Sequence, residues 1–82
     1  MTETDILQAL TDVFRNEFDQ DDLVLTQETT AHDIEGWDSQ AHVSLIVAAE
    51  VRFGVRFTTT EVETMRNVGS FVALIQKKLG GQ

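Results

Sequence analysis

Residues 36–42 read GWDSQAH, so a Gly-Trp-Asp turn leads directly into a serine and then into an apolar segment. Asp38 and Ser39 are both residue types that cap helices, because their side-chain oxygens accept hydrogen bonds from the first exposed amides. Capping alone does not explain why a tryptophan and a long polar segment precede Ser39. Three roles are open to this serine: a helix cap, a nucleophile assisted by His42, or an attachment point for a larger group.

The composition indicates one small acidic domain. The chain has 82 residues, a formal net charge of −8 and no cysteine. A chain of this length builds a thin core, so we expect a single domain over residues 1–82, ordered at about 3–79 with a flexible tail at 80–82. Without cysteine, neither a disulfide framework nor a cysteine-based zinc site can form. The negative charge repels nucleic-acid phosphates and anionic lipids, so we expect partners with basic surfaces and no nucleic acid.

The N-terminal sequence MTETDILQAL is not typical of a secretory signal, because it has no basic segment and no long apolar run. No other segment approaches the roughly 20 apolar residues that span a bilayer. We therefore expect a cytoplasmic monomer that does not insert into membranes. The Met1 start and the Gly-Gly-Gln end favour a complete, freestanding protein.

Apolar residues recur at spacings of three and four from Ile6 onward, which predicts an amphipathic helix at about residues 3–18. Thr2 and Asp5 favour a capping box at its start. Residues 19–38 lose this period and turn polar, so we expect a long loop there. Four apolar side chains are predicted to pin the loop over the helices: Leu23, Leu25, Ile34 and Trp37.

Three further helices are expected. The second is predicted to begin at Ser39 and to end at about Phe53, before Gly54. A short third helix is predicted to begin at a cap formed by Thr58 or Thr60. A longer fourth helix is predicted to begin at a cap formed by Asn67 or Ser70. No segment alternates with a period of two over a useful length. The sequence therefore predicts an all-α fold, a small bundle of three longer helices and one short helix, with the long loop between helices one and two.

The second helix separates into two faces on a helical wheel at ~100° per residue. The face predicted to be buried consists of Leu45, Ile46, Ala49 and Phe53. His42 falls on the same side, so we interpret it as a hydrogen-bonded structural histidine at the rim of the core. The opposite face includes Gln40, Val43, Ser44, Val47 and Val51. Several valines exposed together favour an apolar docking patch.

Metal binding finds little support in the sequence. Asp19–Asp22 begins like a calcium-binding loop, but Val24 holds the glycine position and Thr30 the glutamate position of that motif. His32 and His42 have neither a helical metal-ligand spacing nor a cluster of acids. We therefore expect no metal site.

Self-contained catalysis by Ser39 and His42 is also not expected. The two side chains can meet on a helix surface, because they are three residues apart. A working nucleophile also needs an oxyanion hole and a group that orients the base, and Asp38 is poorly placed for the second role. The strand-turn-helix elbow of serine hydrolases is absent. We expect a protein that is not an enzyme.

A longer pattern surrounds the serine. The tetrapeptide Gly36 to Ser39 is followed by Val43, Leu45, Ile46, Glu50 and the tripeptide Phe53-Gly54-Val55. Together with the flanking segments LTQETTAHDIEGW and FTTTEVETMRNVGSFVALI, this pattern closely resembles the acyl carrier protein family. The resemblance covers essentially the whole chain, and the combination carries it, because an Asp-Ser pair alone has no specificity.

The resemblance implies that Ser39 is modified rather than catalytic. In the family, a separate phosphopantetheinyl transferase moves phosphopantetheine from coenzyme A onto this serine. The terminal thiol of the arm then carries acyl or aminoacyl groups as thioesters between acyl-loading, acyl-transfer and synthase enzymes. Gly36, Trp37 and Asp38 flank the attachment residue, with Asp38 as the helix cap.

The sequence departs from the family pattern at Gln40, where leucine is usual. The family's recognition surface on helix two is often acidic, whereas here valines predominate and Glu50 lies at one edge. Residues expected to contact partners are Gln40, Val43, Ser44, Val47, Glu50 and Val51. The pattern of Trp37 and Gln40 favours a specialised carrier of fatty-acid-like, polyketide or other biosynthesis. The alternative is an unmodified helical protein–protein interaction module with the same fold.

Overall fold

The computed structural model describes residues 2–80, and this range contains helices and no strand. The helices are α1 (Glu3–Phe18), a short 3-10 helix (Ala31–Asp33), α2 (Ser39–Phe53), α3 (Thr59–Thr64) and α4 (Val68–Leu79). The all-α prediction and the predicted helix order are therefore confirmed. The 3-10 helix inside the long loop was not predicted. Of the expected flexible tail, Gly81 and Gln82 lie outside the described residues.

Side-chain caps define where the helices begin. The Thr2 hydroxyl accepts from the Asp5 amide at 3.1 Å, and the Asp5 carboxylate accepts from the Thr2 amide at 3.3 Å, which completes the predicted capping box of α1. Of the two threonine candidates for α3, Thr58 is the cap. Of the two candidates for α4, Asn67 is the cap, and its side chain accepts from the Ser70 amide at 2.8 Å.

The core lies between α1, α2 and α4. α1 packs against both of the other helices. The largest fully buried side chains of the core are Ile6, Leu10, Phe14, Leu45, Val68, Phe71, Val72 and Ile75. The face of α2 that was predicted to be buried is buried, and the short helix α3 contributes no buried residue. α3 is therefore the least anchored wall of the bundle.

The long loop is held on the bundle by apolar and polar contacts. Leu25 and Ile34 are buried, while Leu23 and Trp37 are half-buried against the core, as predicted. Its backbone also meets α4, because the Gly69 amide donates to the Gln27 carbonyl at 2.8 Å. These contacts set the loop's path toward the start of α2.

Candidate functional site

The turn before α2 depends on a glycine. Gly36 has a φ of +91°, a conformation that glycine adopts far more readily than other residues. The Trp37 amide donates to the Ile34 carbonyl at 3.3 Å, and the Asp38 amide donates to the Gly36 carbonyl at 3.0 Å. The chain thus turns sharply and delivers Asp38 to the N-cap position of α2.

The first turn of α2 presents Ser39 to solvent. Asp38 caps the helix, since its carboxylate accepts from the Ala41 amide at 2.8 Å. Ser39 is the first helical residue, and both it and Gln40 are exposed. Within residues 2–80, the backbone amides of Ser39 and Gln40 have no hydrogen-bond partner.

This helix end fits an anionic substituent on the Ser39 hydroxyl. Exposed amides and the positive end of the helix dipole attract phosphate groups. The first turn of α2 contains no acidic residue, so only the Asp38 carboxylate competes for its amides. The unpartnered amides of Ser39 and Gln40 are therefore suitable donors to a phosphate ester on Ser39.

The half-buried side chains of Trp37 and His42 pack against each other beside this turn. The Trp37 indole Nε1–H donates to Nδ1 of His42 at 3.1 Å, and the two rings stack at 26° with centroids 5.9 Å apart. The other ring nitrogen of His42 lies 3.5 Å from the Val62 carbonyl of α3. The predictions that Trp37 anchors the loop and that His42 is a hydrogen-bonded structural histidine are confirmed.

A cleft of about 430 Å³ opens beside Ser39, between α2 and α3. We call it the Ser39 cleft, and its lining consists of Ala31, Trp37, Asp38, Ser39, His42, Val62, Glu63, Met65 and Arg66. The half-buried side chains Val62 and Met65 give it apolar surface, whereas Glu63 and Arg66 are exposed and charged. An extended group attached to Ser39 therefore has both apolar and polar surface within reach.

The sequence did not indicate the α3 side of this cleft. Val62, Glu63, Met65 and Arg66 lie more than twenty residues after Ser39 and belong to no recognisable motif. Only the packing of α3 beside α2 brings them to the site. The candidate caps Thr58 and Thr60 indicated a short helix, but not that this helix lies beside the start of α2.

The outward face of α2 is exposed as predicted, and we define it as Gln40, Val43, Ser44, Val47 and Val51. The three valines retain 61%, 53% and 80% of their exposure, in chain order. Glu50 was also expected to contact partners, and it lies at the edge of this face. It is half-buried, and its carboxylate accepts from the Phe57 amide at 2.9 Å, so it holds the segment between α2 and α3.

Other candidate sites are not brought together. Both ring nitrogens of His42 face Trp37 and Val62 rather than Ser39. No cluster of potential metal ligands occurs among the residues that the structure describes. Within that same part of the chain, no helix has the length and apolar character needed to cross a membrane.

Known proteins resemble this chain along nearly its whole length, although no family model matches it. The curated acyl carrier protein of Thermotoga maritima is 30% identical over 76 residues, which are 93% of this chain and 94% of that protein. A solution NMR structure of the holo acyl carrier protein from Geobacter metallireducens is 47% identical and has a TM-score of 0.85. That match covers 90% of this chain and 85% of the other. The chain therefore belongs to the acyl carrier protein family and has the carrier function and the all-helical fold of that family.

Proposed function

We propose that Ser39 is the attachment residue for a phosphopantetheine arm, on which acyl intermediates travel as thioesters between enzymes. The observation that carries this proposal is the exposed Ser39 hydroxyl beside two unpartnered amides at the start of α2. The solved neighbour from Geobacter metallireducens is a holo acyl carrier protein, which supports a modified form for this chain as well. A chain without cysteine is compatible with a thiol supplied by the arm.

Attachment requires a partner enzyme. The Ser39 oxygen forms a bond to the phosphorus that bears pantetheine, the pyrophosphate bond of coenzyme A breaks, and adenosine bisphosphate leaves. The hydroxyl proton must pass to a base, and His42 is turned toward Trp37 and Val62. A phosphopantetheinyl transferase therefore supplies the base, while this chain supplies an exposed nucleophile and amide donors for the phosphate.

The outward face of α2 is the proposed docking surface for the transferase and for the enzymes that load and use the acyl group. It starts beside Ser39 and continues along the helix to Val51. Its three exposed valines favour apolar contact with partners. Glu50 is assigned a structural role instead, because its carboxylate is held by the Phe57 amide.

The composition and the outward face also bear on the pathway and the compartment. The low acidity of the outward face and the presence of Gln40 favour a specialised pathway, such as polyketide or fatty-acid-like synthesis. A cysteine-free chain of net charge −8 fits a single carrier domain that works in the cytoplasm and binds enzymes with basic surfaces.

Intact-mass spectrometry tests the attachment. The protein is incubated with coenzyme A and a broad-specificity phosphopantetheinyl transferase. Wild type should gain the mass of one arm, and so should Ser44→Ala, which changes a serine of the same helix. Ser39→Ala should gain none while its helical circular-dichroism signal stays intact. No gain in the wild type would favour the unmodified interaction module.

A further inference from the structure

Trp37 and His42 occupy the two positions that close a helix N-terminus from outside. Asp38 is the N-cap of α2, so Trp37 precedes the cap and His42 is the fourth helical residue. Apolar residues at these positions pack together as a hydrophobic staple, which fixes the angle at which the chain enters the helix. Here the staple consists of two stacked rings joined by a hydrogen bond.

The hydrogen bond assigns the tautomer of the His42 ring. An indole N–H can only donate, so Nδ1 of His42 must accept and carry no proton. In the neutral ring the proton is then on Nε2, which points to the Val62 carbonyl at 3.5 Å. One imidazole therefore connects the turn before Ser39 with α3, across the Ser39 cleft.

This connection has a rigid support on one side and a weakly held element on the other. The Trp37 ring meets the buried Phe14 ring edge-on, with centroids 5.1 Å apart. α3 buries no side chain of its own. A further polar contact of α3 is the ion pair between Glu61 and Lys78 at 2.9 Å. The His42 ring thus links both sides of the Ser39 cleft to the core, because it is hydrogen-bonded to Trp37 on one side and lies beside Val62 on the other.

We propose that His42 is a positioning residue for Ser39. Its ring holds the turn in the geometry that presents the hydroxyl to a transferase, and it fixes α3 as the opposite wall of the cleft. The inference rests on the proposed attachment at Ser39. If it is correct, replacing His42 slows the modification of Ser39 even when the protein stays folded, which loss of a merely stabilising residue does not do.

The test compares variants as substrates of the transferase, at a temperature where all are folded. His42→Leu keeps the volume and removes both hydrogen bonds. His42→Gln can still accept from Trp37 and donate to Val62. Val13→Ala is the control, because it removes core volume between α1 and α2 away from the site.

We expect His42→Leu to lower kcat about tenfold, because small displacements of a reacting group are costly. KM should stay within about twofold, since the outward face is unchanged. His42→Gln should restore most of kcat, and Val13→Ala should retain it. A second readout is NMR: wild type should show a protonated Nε2 on His42 and a slowly exchanging Trp37 indole proton, which should exchange rapidly in His42→Leu.

A folded His42→Leu protein with wild-type kcat would overturn the proposal, as would an equal loss in Val13→Ala. If His42→Leu does not fold, Trp37→Phe keeps an aromatic ring and removes the indole N–H donor together with the second ring of the indole. An unchanged kcat in that variant would overturn the proposal too. A wild-type protein that accepts no arm would instead overturn the attachment at Ser39, and the NMR readout would still report the staple.

Discussion

The Trp37 indole meets the Phe14 ring edge-on, with the ring planes at 84° and the centroids 5.1 Å apart. This contact joins the turn before Ser39 to the centre of the core, because Phe14 is fully buried. Edge-to-face aromatic pairs contribute about 0.5–1.5 kcal/mol beyond the area that they bury. The Trp37 contact is therefore a substantial part of what holds the long loop.

Trp37→Ala should lower the free energy of unfolding by about 2–3 kcal/mol, somewhat below the range for fully buried aromatics because the ring is half-buried. Urea denaturation measures the effect. Val24→Ala is the control, since Val24 lies in the same loop and is 72% exposed, and it should change stability by less than about 0.5 kcal/mol. An unchanged midpoint for Trp37→Ala would mean that the ring does not anchor the loop.

Gly69→Ala should destabilise the protein even though alanine favours helix. A Cβ at this position would lie 2.8 Å from the Gln27 carbonyl oxygen, which is backbone and cannot rotate away. Helix propensity favours alanine by about 1 kcal/mol, and forced displacement of packed groups typically costs about 1–3 kcal/mol. We therefore expect a small net loss of stability, measured as a lower midpoint of thermal denaturation. Ala73→Gly, on the exposed side of α4, measures the propensity effect separately. A more stable Gly69→Ala protein would contradict the close approach of loop and helix.

Acid should loosen the start of α3 through Glu61. A hydrogen bond from the Thr58 amide, followed by one from Lys78, holds the pKa of the Glu61 carboxyl below its ordinary value of 4.5. A lowered folded pKa contributes stability that is complete above about pH 4.5 and is lost as the pH falls through the folded pKa.

NMR titration of Glu61 with exchange of the Thr58 amide proton measures this effect. Glu61→Gln should make α3 less sensitive to acid, whereas Glu63→Gln should behave as wild type. Amide protection at Thr58 that does not change on acidification would rule out the carboxylate cap as the cause.

Partner docking should depend on apolar contact along the outward face. Each exposed valine should contribute on the order of 1 kcal/mol when buried by a partner, and burial of this kind is little affected by ionic screening. The net charge of −8 still acts at long range, so association rates should retain some salt dependence.

Val47→Asp should therefore weaken binding of the loading enzyme about fivefold or more, which corresponds to about 1 kcal/mol. Val24→Asp is the matched control, because it adds the same charge at an exposed valine in the loop, away from that face. Affinities at low and high salt are compared by calorimetry. If wild-type affinity falls steeply with salt and Val47→Asp binds as well as wild type, the prediction is wrong and charged residues mediate the docking.

Local sequence signals predicted the helices well. Helical spacing, capping residues and Gly54 depend on neighbours within about one turn, so the bounds of α1 and α2 and the two faces of α2 could be inferred. The rings of Trp37 and His42 were also placed correctly, since both lie next to the start of α2. Their direct hydrogen bond was not predicted.

Long-range contacts could not be predicted from these signals. Glu50 was predicted only as a partner contact, and its hydrogen bond with the Phe57 amide was not predicted. Gly69 gave no turn signal, because its small size is required by the Gln27 carbonyl of a distant loop. Glu63 and Arg66 reach the cleft only through the packing of α3. Such contacts depend on how helices pack and not on residue spacing.

The most direct test of attachment at Ser39 is fragmentation mass spectrometry of the protein purified from its native host. The peptide between Arg15 and Arg52 contains both Ser39 and Ser44, so fragment ions distinguish the two hydroxyls. We predict one phosphopantetheine on Ser39 and none on Ser44. A peptide with the arm on Ser44, or a protein with no arm under conditions in which the host's other carriers are modified, would contradict it.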